Sequence, residues 1–79
     1  MDKEQKELKD FLEQQLEWTK EQAYILDQID EKLHQMKRIA IYAAEHDLPD
    51  YAINELNTRI NRLKQEVHML ERKMHGTIH

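Results

Sequence analysis

Asp47-Leu48-Pro49-Asp50, near the middle of the chain, is the one interior interruption in a sequence otherwise built from helix formers. Proline lacks the N–H that a helix interior needs, disfavours helix in the residue before it, and is tolerated in a first helical turn. The quartet therefore marks a turn followed by a helix start. Either Asp47 caps that helix, answered by Asp50, or Leu48 does so with Pro49 at the first helical position. The other breaker, Gly76, ends the chain in Gly76-Thr77-Ile78-His79. Flanking stretches rich in Glu, Gln, Lys, Leu, Ile and Ala predict helices over roughly residues 3–46 and 50–75. With a turn at about 47–49 and a frayed tail at 76–79, residues 1–79 form one helical-hairpin domain on this reading.

The apolar spacing supports that division. In the second helix Ile53, Leu56, Ile60, Leu63, Val67, Leu70 and Met74 alternate steps of three and four, a heptad seam with Leu at every d position. In the first helix Leu26, Ile29, Leu33, Met36, Ala40 and Ala43 keep the same alternation. A very short connection makes the two helices antiparallel, so the seams are expected to face each other. Folding back around position 48 pairs residues whose numbers sum to 96, such as Met36 with Ile60 and Ile29 with Val67. Ala40 and Ala43 then lie beside the turn, where small side chains permit close backbone approach. Residues 1–35 hold ten acids and five bases and residues 57–79 hold two acids and five bases, so an acidic helix is expected along a basic one.

This hairpin leaves a remainder. The second helix covers only about 38 Å of a first helix about 66 Å long, so the segment before about residue 20 has no partner within the chain. Leu8, Phe11, Leu12, Leu16 and Trp18 lie there, and Phe11, Trp18, Ile25 and Ile39 share one heptad stripe beside the seam, broken by Lys32. Together with the small gain a two-helix hairpin makes on folding alone, this predicts self-association into a dimeric four-helix bundle. The expected self-association or partner interface is Leu8, Phe11, Leu12, Leu16, Trp18, Ile25 and Ile39. The rival outcome is an N-terminal segment that frays or folds back.

The chemistry of catalysis is poorly represented. The 79 residues contain no Cys and no Ser, which removes disulfides, thiolate nucleophiles, Cys-bound zinc and serine catalysis. A narrow rod offers no cleft in which to shift the pKa of the remaining carboxylates, lysines or Thr19, Thr58 and Thr77. No enzyme, catalytic residue or cofactor is expected. His68, Glu71 and His75 share a helix face at metal-ligand spacing, but they lie outside the seam, where a bundle metal site would need inward ligands; they are taken as solvated surface and no metal is expected. His34 and His46 are placed to satisfy nearby backbone carbonyls. A basic group near the fold-back point, Lys37, Arg38, Arg59 and Arg62 with Lys64 beyond, is the candidate anion contact and the basis of an alternative nucleic-acid-binding role. The net charge of -4 and the neighbouring Asp47, Asp50, Glu55 and Glu66 argue against nucleic acid as the partner. No apolar run approaches the roughly 20 residues of a membrane span, and a cytoplasmic location with no membrane contact is expected.

The run Asp47 to Leu63, DLPDYAINELNTRINRL, resembles the second half of the small bacterial aspartyl-phosphate phosphatases of sporulation signalling. The resemblance implies an antiparallel two-helix hairpin and, as a further alternative, a regulator of that kind. Members carry Ser-Gln-Glu-Leu-Asp shortly after the turn. Here the equivalent stretch is Asn57, Thr58, Arg59, Ile60 and Asn61, which keeps the apolar position and lacks the acids, so no catalytic residue carries over. The leading expectation is a small adaptor, regulator or inhibitor that binds itself and an unidentified protein through coiled-coil helix faces.

Overall fold

The computed structural model describes the backbone of residues 2–75 and the side chains of residues 2–74; the expected frayed tail at 76–79, the role of Gly76 and the side chains of His75 and His79 lie outside the described residues. Helix α1 spans Lys3–Glu45 and helix α2 spans Asp50–His75. Asp2 caps α1: its backbone is extended at φ -77 and ψ 171, and its carboxylate accepts from Gln5 N at 2.8 Å, satisfying one of the four N–H groups that a helix start leaves unpaired. At the other end His46 leaves the helix at φ -122 and ψ 140. Its Nδ1 donates to the Tyr42 carbonyl at 2.8 Å and its ring stacks on Tyr42 at 4.1 Å, so one side chain closes the helix end.

Neither expected cap starts α2. The Pro49 carbonyl accepts from Ala52 N at 3.0 Å and Ile53 N at 3.1 Å, which puts Pro49 itself immediately before the first helical residue, Asp50. Proline suits that place because no intrahelical bond asks for its missing N–H. The Asp50 carboxylate then sits in the first turn, at the positive end of the helix dipole.

The two helices pack as an antiparallel all-α hairpin, 70 × 19 × 12 Å in extent. Its radius of gyration is 20.1 Å, against about 12 Å for a globular chain of this length. Among the described residues the buried apolar ones all come from α2: Leu63, Val67 and Leu70, at 9%, 6% and 7% exposure. Leu56, Ile60 and Met74 are half-buried on the same face, while at the turn Ala52 is more covered than Ile53.

The face that α1 offers differs from expectation. Gln22, Ile25, Ile29, Lys32, Met36, Ile39 and Ala43 form its covered line at steps of three and four, with Gln28 and Gln35 half-buried beside it, whereas Leu26 and Leu33 are 51% and 48% exposed and Ala40 is exposed as well. Two heptad phases share Ile29, Met36 and Ala43 and differ by one residue, or about 100° of rotation, at the intervening places. The expected phase put Leu26, Leu33 and Ala40 in the seam; the structure puts Ile25, Lys32 and Ile39 there. Lys32 is the reason both readings exist. A charged residue looks foreign to a seam, yet Lys32 is half-buried there and its ammonium reaches the Glu66 carboxylate of α2; a long lysine side chain can cover apolar surface with its stem while its charged end finds a partner. That ion pair runs against the overall charge balance, since its base is on the acidic helix and its acid on the basic one. Among the described residues the other ion pairs, Lys9–Glu13, His34–Asp30 and Arg38–Glu31, stay within α1.

Candidate interaction surfaces

Every residue from Asp2 to Glu21 is exposed, and the first covered position of α1 is Gln22, at 8% exposure. This is the stretch where α1 continues beyond the end of α2. It is a helix without interruption, so it neither breaks nor folds back. Two apolar lines run along it. Leu8, Leu12 and Leu16, four residues apart and 58%, 56% and 55% exposed, form with Gln5, Lys9 and Glu13 a shallow groove of ≈ 370 Å³. Phe11 and Trp18, seven apart and 55% and 37% exposed, continue the line that Ile25, Lys32 and Ile39 follow beneath α2. Trp18 borders a second groove walled by Asp10, Glu13, Glu17 and Glu21.

Of the expected interface residues, the structure thus leaves Leu8, Phe11, Leu12, Leu16 and Trp18 open to solvent. Ile25 and Ile39 are different: both are half-buried in the α1–α2 contact and are partly used within the chain. Leu26 and Leu33 take their place as exposed apolar residues on α1. Spacing could not single them out, because a leucine at heptad spacing is the usual sign of a covered position.

Near the turn an open groove of ≈ 420 Å³ has an apolar floor of Ile39, Leu48, Ala52 and Leu56, with Tyr42 beside it and Arg38, Arg59 and Glu55 at the rim. The four cations expected to gather there do not all do so. Lys37 and Arg62 do not line the groove. Arg38 has a carboxylate close by, with Glu31 Oε1 3.5 Å from its guanidinium. Glu55 adds a further negative charge, so the rim is mixed in sign.

Two histidines, His34 and His46, engage local backbone. His34 Nδ1 donates to the Asp30 carbonyl at 2.8 Å and lies 3.5 Å from the Asp30 carboxylate. Among the described residues no three His, Cys, Asp or Glu side chains come together in a way that suits a metal ion, and no helix is long and apolar enough to cross a membrane.

These features define a small all-helical hairpin with a long uncovered helix arm. The chain matches, over residues 30–77, the family described as "Protein of unknown function (DUF1192)", and it belongs to that family. The match begins at Asp30, inside α1, so it takes in most of the paired part of the hairpin and leaves out the arm together with the contact residues Gln22, Ile25 and Ile29. No curated protein and no solved structure matches the chain.

Proposed function

We propose that the chain is a non-enzymatic protein–protein interaction module, a cytoplasmic adaptor, regulator or inhibitor. It works through the uncovered faces of α1, and it associates with itself as a dimer of hairpins, four helices in all, as well as with a different protein. One observation carries this reading: a continuous helical arm has no partner among the described residues yet holds Leu8, Phe11, Leu12, Leu16 and Trp18 exposed. The chain's total exposed area of 6799 Å² compares with about 5,100 Å² for a globular monomer of the same mass. Apolar side chains in contiguous exposure are a cost that association removes. The grooves are open and walled by unremarkable surface side chains, which supports binding over catalysis.

Sedimentation of the wild type across the micromolar range, with affinity capture by wild type and by the Phe11→Ala/Trp18→Ala variant, tests the proposal. Wild type is expected above monomer mass, and the variant is expected to lose captured protein while remaining helical. A wild type that stays monomeric at high micromolar concentration and captures nothing that the variant fails to capture refutes it. Capture of nucleic acid, released steeply by salt, would instead favour the rival reading through Arg38 and Arg59.

A further inference from the structure

The leucine groove on the arm has the symmetry of its own complement. Leu8, Leu12 and Leu16 follow one ridge of the helix at steps of four, with Leu12 in the middle. At 3.6 residues per turn Lys6, Lys9, Glu13 and Glu17 all fall on one flank alongside that ridge, bases before its midpoint and acids after it, with Lys20 on the same flank a turn beyond Leu16. Lys9 and Glu13 border the groove itself, with their charged ends 4.0 Å apart and both side chains 64% exposed. More widely, residues 3–9 carry three bases and two acids, and residues 10–21 carry four acids and one base.

Resting on the self-association proposed above, we infer that the groove receives the same ridge of a second copy, antiparallel, with the two-fold axis beside Leu12. Leu8 of each copy then meets Leu16 of the other, and the two Leu12 side chains meet at the centre. A two-fold of this kind brings the charged flank of one copy against the same flank of the other. Lys9 therefore approaches the second copy's Glu13, and Lys6 approaches its Glu17, twice each. A parallel pair sharing the same ridge sets like-charged halves side by side and leaves Lys6 about eleven residues, or about 16 Å, from the other Glu17 along the axis. The antiparallel choice also opposes the helix dipoles. Ridges at steps of four pack with the helices crossing, so the contact is centred on Leu12 and the hairpins diverge on either side of it. Phe11 and Trp18, on the line continued from the α1–α2 seam, stay available to the different protein.

The test uses the wild-type chain, mixed from isotopically heavy and light preparations and treated with a carbodiimide that joins lysine amines to carboxylates without a spacer. Heavy–light peptides joining Lys9 to Glu13 and Lys6 to Glu17 are expected. Sedimentation alongside should show that Leu12→Glu, which sets two carboxylates together in a dry contact, raises the dimer Kd by about a hundredfold or more with helix content unchanged. A dimer whose heavy–light links fall outside residues 2–21 or lack Lys6–Glu17, or whose Kd is indifferent to Leu12→Glu, overturns this arrangement and leaves self-association standing. A wild type with no dimer at any concentration refutes both.

Discussion

The phase of α1 can be tested by truncating one leucine on each helix. Leu33→Ala removes a side chain that the structure leaves 48% exposed, and Leu63→Ala removes one that is 9% exposed. A Leu→Ala change at a covered core site costs about 2–5 kcal/mol, part of it for the cavity left behind. With half its surface already in water and open space into which neighbours can relax, Leu33 loses only about 0.5–1 kcal/mol of transfer free energy. If the seam instead ran through Leu26, Leu33 and Ala40, as their spacing suggests, the two truncations would cost similar amounts. Thermal unfolding followed by circular dichroism separates the cases, since 1 kcal/mol moves the midpoint of a domain this size by about 4–8 °C. All samples must share one concentration, because association raises apparent stability by mass action. Leu63→Ala is expected to lower the midpoint by several times the shift of Leu33→Ala. Equal shifts would refute the assignment of Ile25, Lys32 and Ile39 to the contact with α2.

Two further predictions follow from local geometry. In a double-mutant cycle on Lys32→Ala and Glu66→Ala, the coupling should be about 0.5–1 kcal/mol and shrink in 1 M salt, because the pair is more than a quarter exposed on both sides; zero coupling at low salt would remove the cross-helix role of Lys32. Asp2→Ala should weaken the first turn by about 1 kcal/mol, seen as faster amide exchange at Gln5 and its neighbours, while the unfolding midpoint of the hairpin hardly moves; a midpoint drop of many degrees would mean that the arm is part of the cooperative core.

Much of the fold was legible in the residues. The Pro49 break, the even seam from Leu56 to Met74 and the shortness of α2 require an antiparallel hairpin with an unpaired N-terminal arm, and the exposure of Leu8, Phe11, Leu12, Leu16 and Trp18 is what that arm implies. The helix start was less legible, since Asp47, Leu48 and Pro49 are all compatible with a position before a first turn. The basic group near the turn was least so. Neighbouring numbers such as Lys37 and Arg38 point about 100° apart on a helix, and only Arg38 and Arg59 reach the groove.

Composition and spacing thus settle that there are two helices, where they part, and that one outruns the other, because these depend on local propensity and on length. They leave open which of two overlapping stripes of α1 meets α2. Leu26 with Leu33 and Ile25 with Ile39 are equally apolar, and a lone helix has no reason to prefer either. The preference arises only when α2 is laid alongside and Glu66 comes within reach of Lys32, which turns an apparent flaw in one stripe into a cross-helix contact and sends the leucines of the other stripe to the surface.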